Sequence, residues 1–456
     1  MAADRAARGD PRCRRRHRGR PRRRGQPPGH AASHRSRARL AHLMHASTPQ
    51  LLDDLRRAVE ARRERLVDLS RRLVQAQTTL GNEEPGQKIV AAELKRLGFD
   101  VERIAPDAEA ALADPHGGYP ALPYEGRSAV AARLPGAGGG RSLHLSGHID
   151  VVPVEAVERW AHDPWAGEIA GGRMWGRGAG DMKGGTAAYL AAVDALVEVT
   201  GGLPGDLLFS SVFEEESGGN GMRAVLAAGY DAEATLIAEP SALQLLHAGV
   251  GVVWMRLTVR SAGAHAAYAQ PEGAPLDRIA AAVNALRRLE RRFNDEPADL
   301  VFADTHEHPY NLNFGQIQGG VWPSSVPAQV VLRGRLGFGR DREPGDVQAR
   351  VRETIEREAP GVELEFDGFR AHAYCHDPAG ALGRLLTRSH AAAHGTEARP
   401  TVGTFTTDAR YVEGECLCYG PVAGNIHGID EWVDLESVEQ TAVTVALAAA
   451  EWLGTG

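Results

Sequence analysis

Cysteine is scarce in this chain of 456 residues. Four occur, Cys13, Cys375, Cys416 and Cys418, and none forms a Cys-x-x-Cys pair. That argues against both a disulfide framework and a thiolate zinc site. Cys416 and Cys418, two apart, fit one face of a core strand. Long apolar runs are missing as well. No stretch reaches the ~20 residues a membrane helix needs, and no signal-peptide apolar region follows the basic start. A membrane protein is thereby excluded, and a cytoplasmic location is the simplest expectation. A true dinucleotide-binding loop is also lacking. The glycines of Gly176-Arg177-Gly178-Ala179-Gly180-Asp181 need a third glycine where Asp181 stands.

What is present is a long, globular composition. At 456 residues with 43% hydrophobic side chains, two domains are expected. The net charge of −7 hides an asymmetry: residues 1–43 carry fourteen Arg and two acids, Asp4 and Asp10, leaving 38 bases against 57 acids beyond. Such a tail suits a nucleic-acid arm or a targeting peptide. It has no amphipathic period, however, so the preferred expectation is upstream sequence read from a misplaced start, with Met44 as the true beginning. Residues 1–46 are expected to be disordered, and nucleic acid is not expected as a partner.

Leu51 to Val74 reads as one helix, with Leu55, Val59, Leu66, Leu69 and Leu73 near a 3.6-residue period, and Pro85 to Leu97 as a second, stopping at Gly98. Asp107 to Gly126 is loop-rich. Ser128–Leu134 and Ser142–Ile149 read as neighbouring strands, and little regular structure is expected from Trp160 to Gly180. An apolar helix should follow to about Val199. Leu207–Phe213 and Ala234–Ala238 read as buried strands. From Val250 the order strand, helix (275–293), strand (311–317), strand (328–338), helix (345–358), strand (362–366) is the βαββαβ unit of ferredoxin-like modules. A helix from Leu435 to Leu453 ends the chain.

Side chains able to hold metal recur at strand ends. His148 and Asp150, two apart, share one face of a strand; an imidazole can bind metal through one nitrogen while a carboxylate fixes its orientation. The competing reading is a polar end to a buried strand. Asp181 precedes a helix and could be only its N-cap. Glu214-Glu215-Glu216 could be a solvated loop, yet it leaves a buried strand for a glycine-rich turn, where ligands of α/β sheets gather. Glu239 ends another strand, and His427 lies in a glycine-rich loop that could equally be plain surface. His148, Asp181, Glu215 or Glu216, Glu239 and His427 together offer imidazole and carboxylate without thiolate, which suits zinc, cobalt or manganese. Five ligands exceed the usual three of one catalytic zinc, and two ions sharing a carboxylate account for the number. Such pairs, ~3.5–4 Å apart, serve hydrolysis.

Ser146-Gly147-His148-Ile149-Asp150-Val151-Val152-Pro153, Gly176 to Gly185, Glu214 to Gly219, Glu239-Pro240-Ser241 and Asn425-Ile426-His427 resemble, in order, the signatures of one family. It is the two-metal amidohydrolase and exopeptidase family of acetylornithine deacetylase, succinyl-diaminopimelate desuccinylase, aminoacylase and glutamate carboxypeptidase. The resemblance implies an α/β fold, a zinc-exopeptidase-like mixed-sheet catalytic domain (47–248 and 371–456) with an inserted ferredoxin-like lid and dimerisation domain (249–370). It implies that His148 and Glu239 hold one of two divalent metal ions, Glu216 and His427 the other, and that Asp181 bridges them. Asp150 would orient His148, and Glu215 would be the general base; Glu214 receives no chemistry. Gly263-Ala264-His265-Ala266 resembles the segment that places a histidine in the partner subunit's site, so His265 would hydrogen-bond the developing oxyanion of a homodimer's reaction. Ser324 stands where the family has an Asn that contacts a substrate carboxylate. Thr407-Asp408-Ala409-Arg410 resembles the deacetylase and desuccinylase branch, making Arg410 a carboxylate clamp, with stabilisation of the strand ends as the competing role. The implied activity is hydrolysis of the amide of an N-acyl amino acid or similar small amine, acetylornithine deacetylase being the nearest named one. A dipeptidase or carboxypeptidase is the alternative, and a binding protein without catalysis a third reading.

Overall fold

The computed structural model describes residues 48–270, 274–296 and 299–454. The arginine-rich residues 1–46, and with them Met44, lie outside these. Among the described residues no helix is long and apolar enough to cross a membrane.

Four short apolar segments set the frame. Leu143–His148, Leu207–Val212 and Ala234–Ile237 are buried throughout, as is Glu415–Cys418 beyond its first residue. Burial on both faces accounts for the apolar residues on both parities of Leu207–Val212 and Ala234–Ile237. They lie side by side in the order Leu207–Val212, Leu143–His148, Ala234–Ile237, Glu415–Cys418 and run parallel. Antiparallel strands extend the sheet: Ala129–Leu134 and Asp100–Ile104 at one edge, Leu245–Gly249 and Tyr374–Cys375 at the other. Pro400–Gly403 pairs parallel to Leu245–Gly249. Cys416 and Cys418 are free and buried. Helices Gly184–Thr200 and Leu435–Gly454, apolar nearly all round, pack on each other, with Thr48–Glu60 and Ala381–His394 against them.

Several local expectations change. The segment expected as one helix from Leu51 to Val74 is two, Thr48–Glu60 and Arg63–Gln75. Arg62 breaks it: its guanidinium turns back to the Ala58 carbonyl and pairs with Asp194 and Glu198 on the facing helix. The strands at 129–134 and 143–148 are not neighbours, because Leu207–Val212 lies between them and bonds to both. The loop-rich 107–126 stretch contains a short helix, Ala108–Ala113, capped by the Asp107 carboxylate. Within 160–180, Glu168–Ala170 and Arg173–Trp175 form a small sheet with Trp432–Asp434 and Ala423–Gly424.

Residues 248–373, joined by Val402, surround a second apolar core. Its antiparallel sheet has the order Leu312–Gly319, Gln329–Phe338, Gly251–Arg260, Glu363–Ala371, and helices Pro275–Asp295 and Pro344–Glu358 pack on it. In chain order this is 2-3-1-4, the split βαβ arrangement. Leu312–Gly319 is an edge strand and largely exposed.

Candidate metal centre

Parallel strands deliver their carboxyl ends to one side of a sheet, and four of them do so here. His148 closes one strand, Glu215 and Glu216 follow Val212 by three and four residues, Glu239 follows Ile237 by two, and the loop after Cys418 returns to His427. Asp181 comes from the turn before helix Gly184–Thr200. That turn approaches the strand ends closely: a Cβ on Gly185 would lie 2.0 Å from the Ala238 carbonyl oxygen. The helix is not capped by Asp181, whose carboxylate is turned to the two histidines instead.

The contacts make a single cluster. His148 Nε2 lies 2.9 Å from Asp181 Oδ1, and His427 Nε2 lies 3.0 Å from Glu216 Oε1 and 3.5 Å from Asp181 Oδ2. One oxygen or nitrogen each from His148, Asp181 and Glu216 fall within 4.8 Å of one another, as do those of His148, Glu215 and Glu239. All five expected ligands and Glu215 are therefore brought together.

Whether these groups suit a metal can be tested on hydrogen bonding. His148 Nδ1 lies 2.9 Å from the Asp150 carbonyl oxygen, which can only accept, so Nδ1 carries the hydrogen. In neutral imidazole the opposite nitrogen, Nε2, then presents a lone pair to a carboxylate. That contact requires a proton or a cation between the two atoms. The imbalance recurs across the cluster. Burial would lower the His148 pKa, but the Asp181 hydrogen bond and nearby carboxylates raise it well above the usual range. The Glu216 charge raises His427 to about 11. Burial, then the neighbouring Asp408, holds Glu215 well above the usual carboxylate range; burial, then Asp181, does the same to Glu239. Divalent cations among these nitrogens and oxygens would relieve each conflict. The donor set fits zinc, cobalt or manganese.

Asp150 takes a different part from the one expected. Its carboxylate is 3.8 Å from His148 Nδ1, too far for a hydrogen bond, and it is the backbone carbonyl that orients the ring. The carboxylate instead accepts the backbone N–H groups of Glu215 (3.3 Å) and Glu216 (3.1 Å). One residue thus braces two limbs of the cluster. Glu214, given no chemistry, is fully buried at φ +62°; its oxygens accept from Tyr124 Oη (2.6 Å) and the Ala121 N–H (3.0 Å).

Arg410, expected as a substrate clamp, is enclosed in this structure, and its Nε and Nη2 make no hydrogen bond among the described residues. Its side chain has no exposed surface; it lies beneath the Glu215 turn, 3.6 Å from Glu215 Oε1 and 3.7 Å from Asp408 Oδ1. It also donates to the Thr407 carbonyl at 2.7 Å. In this geometry it is an internal counter-charge. His265 and Ser324 sit together on a two-stranded ribbon in which His265 faces Ser325 and the Ala266 N–H bonds to the Ser324 carbonyl. Among the described residues, neither of their side chains hydrogen-bonds to the cluster.

Sequence reading missed the braces. Glu431 is fully buried, pairs with Arg177, and accepts the N–H groups of Gly180 (3.0 Å) and Asp181 (3.1 Å). Arg177 also holds the His427 carbonyl, 3.2 Å away. The signal lay in Glu431 closing the same glycine-rich segment as His427, but nothing in the sequence pairs it with a turn 250 residues earlier.

The model of peptidase family M20/M25/M40 matches residues 144–451. The chain is 31% identical over 318 residues to succinyl-diaminopimelate desuccinylase of Rhodospirillum centenum, covering 67% of this chain and 80% of that protein. It is 29% identical over 393 residues to the same-named protein of Acidiphilium cryptum, covering 82% and 95%. Among solved structures, the di-peptidase Dug1p of Saccharomyces cerevisiae superposes with a TM-score of 0.71 at 14% identity, over 89% of this chain and 99% of that one.

Proposed function

The chain belongs to peptidase family M20/M25/M40, and on that premise we propose that it hydrolyses the amide bond of an N-acylated amino acid or similar small amine. The observation that carries this reading is the lone pair of His148 Nε2 facing Asp181 at 2.9 Å, beside a buried glutamate with an uncommitted oxygen. Relatives named succinyl-diaminopimelate desuccinylase favour a succinyl over an acetyl group on the amine.

His148, Asp181, Glu216, Glu239 and His427 would hold two divalent ions. When bound, such a pair polarises a water and the scissile carbonyl. Glu215 would act as the base, and this is supported by its Oε1, which is buried, accepts no hydrogen bond among the described residues, and has Arg410 Nη1 3.6 Å away. A carboxylate with a free oxygen beside the metals can take a proton from water and pass it to the leaving amine. Asp150 and Glu431 hold the backbone of the two turns that present Glu215 and Asp181.

The reading includes a lid over 249–370, a homodimer formed through it, His265 as a donor to the oxyanion in the partner's site, Ser324 as a substrate contact and a cytoplasmic location. Two tests bear on the chemistry. Glu215→Gln should keep its metal content and lose at least ~10³-fold in turnover; full turnover in that variant would remove Glu215 from the reaction. Metal analysis after zinc or cobalt reconstitution should find more than one ion per chain, and less than one would overturn the paired site. A screen of succinyl-, acetyl- and formyl-amines against short dipeptides decides between the amidohydrolase and dipeptidase readings.

A further inference from the structure

Residues 107–127 leave the catalytic sheet, touch the second core and come back. At the far end they are fastened to strand Glu363–Ala371. Arg370 donates from Nε to the Gly117 carbonyl (2.8 Å) and from Nη2 to those of Leu112 (3.2 Å), Ala111 (3.3 Å) and Asp114. These are carbonyls at the C-terminus of helix Ala108–Ala113 and just past it, left free where a helix ends. The Tyr119 N–H bonds to the Gly368 carbonyl at 2.8 Å, and the Arg370 guanidinium stacks over the Tyr119 ring at 4.9 Å. Gly368 is available because its strand slips out of register with Gly251–Arg260 between Phe366 and Arg370. Gln348, on helix Pro344–Glu358, reaches Tyr119 Oη at 3.4 Å.

At the near end the same segment is fastened to the turn that carries Glu215. Gly118 and Asn220 exchange two hydrogen bonds, 3.1 and 3.0 Å. Asn220 also donates to Tyr124 Oη (2.8 Å), which donates to Glu214 (2.6 Å), while the Ala121 N–H holds the other Glu214 oxygen. Contact is tight, since a Cβ on Gly118 would lie 2.5 Å from the Gly218 carbonyl oxygen. Glu214 is a non-glycine residue in the left-handed region, and its carbonyl accepts the N–H groups of Gly218 and Gly219. Such a backbone is maintained only where surrounding bonds over-determine it. Glu215 is the next residue.

We infer that residues 111–124 are a strap that ties the Glu215 turn to the strand Glu363–Ala371, with Arg370 and Tyr124 as its two positioning residues. The position of the second core is thereby transmitted to the base through a short path of hydrogen bonds. Loosening the Arg370 end should loosen the Glu214 turn, although among the described residues the Arg370 side chain makes no hydrogen bond to that turn. The inference rests on the reading of Glu215 as the base only for its effect on rate.

The test is amide hydrogen exchange on zinc-reconstituted protein. Arg370→Met should raise exchange in 111–121 and also in 214–219 by about 10-fold or more. Gln348→Ala, at the periphery, should raise both in the same order by less, and it serves if Arg370→Met does not fold. Faster exchange confined to 111–121, with 214–219 unchanged in both variants, would overturn the strap. Tyr124→Phe should lower kcat on whichever amide is turned over by about 10-fold with KM within a factor of about two, since the bound substrate is untouched and only the base is displaced. A raised KM with unchanged kcat would assign Tyr124 to substrate binding and refute its positioning role. A wild-type protein without any amide turnover would sink the proposed function, while the exchange result would still decide the strap.

Discussion

Asp150 shows what a single residue type conveys and what it withholds. A carboxylate two residues from a histidine announces a brace, and a brace is found, but the group on His148 is the backbone carbonyl and the carboxylate serves Glu215 and Glu216. The residue types of the cluster were legible at strand ends, but each had a plain structural reading beside it, and the ranking of Glu214, Glu215 and Glu216 came from the family resemblance and not from spacing. Glu431, Asp408, Tyr124 and Asn220 were not legible, since their roles are set by partners brought near only by the fold. His144 is a further case. It lies on the parity of His148 in the same strand, fully buried, with Nε2 2.8 Å from Ser210 Oγ. Burial pushes its pKa down to about 3. An unfolded histidine titrates near ~6.5, so below that pH the unfolded chain takes up a proton the folded chain refuses. The stability this histidine contributes is complete above pH 6.5 and falls as the pH drops from there toward 3, by up to about 1.4 kcal/mol per pH unit. His144→Gln, which can still bond Ser210, should show a shallower loss of stability between pH 7 and 5 in denaturant titrations. An identical slope in parent and variant would mean that His144 is not held neutral.

At the scale of elements, strands and long helices were predictable to within a few residues where burial is two-sided or the helical stripe is long. The errors fell where side chains from other elements intervene: Arg62 splitting the first helix, and strand Leu207–Val212 entering between two strands adjacent in sequence. The Glu214–Asn220 turn is the element on which the proposed chemistry depends, and its shape is set by neighbours on both sides. Gly219 is at φ +76°, and a Cβ there would lie 2.0 Å from Arg410 Nη2 and 2.7 Å from the Tyr411 ring. Gly229 is also left-handed, at φ +90°, but nothing lies within 4 Å of its Cβ position. Gly229→Ala should therefore cost only the backbone term, ~1–2 kcal/mol, whereas Gly219→Ala adds overpacking of a further ~1–3 kcal/mol. Thermal or denaturant unfolding of the two variants separates the terms. Gly219→Ala should also lose turnover, because displacing Arg410 moves the counter-charge beneath Glu215. Equal destabilisation by the two variants would show that Arg410 yields freely and is no fixed support.

For the whole molecule, the second core leaves its own surface unfinished. Tyr268, Ile317, Val321 and Trp322 are 76%, 64%, 98% and 67% exposed, and among the described residues strand Leu312–Gly319 is paired on one side only. Exposed apolar residues beside an unpaired edge mark an association surface, and a twofold dimer is the commonest way such a surface is covered. The ribbon bearing His265 and Ser324 belongs to this region, and among the described residues neither side chain hydrogen-bonds to the candidate metal centre of its own chain. If His265 acts in the partner's site, two different inactive chains should restore each other. His265→Ala retains Glu215 but lacks the histidine, and Glu215→Gln lacks the base but can lend the histidine. Each heterodimer then contains one complete site, so equimolar mixing with subunit exchange should recover about a quarter of the wild-type rate. No recovery, with heterodimers demonstrated by native mass spectrometry, would confine His265 to its own chain and overturn its action across the subunits.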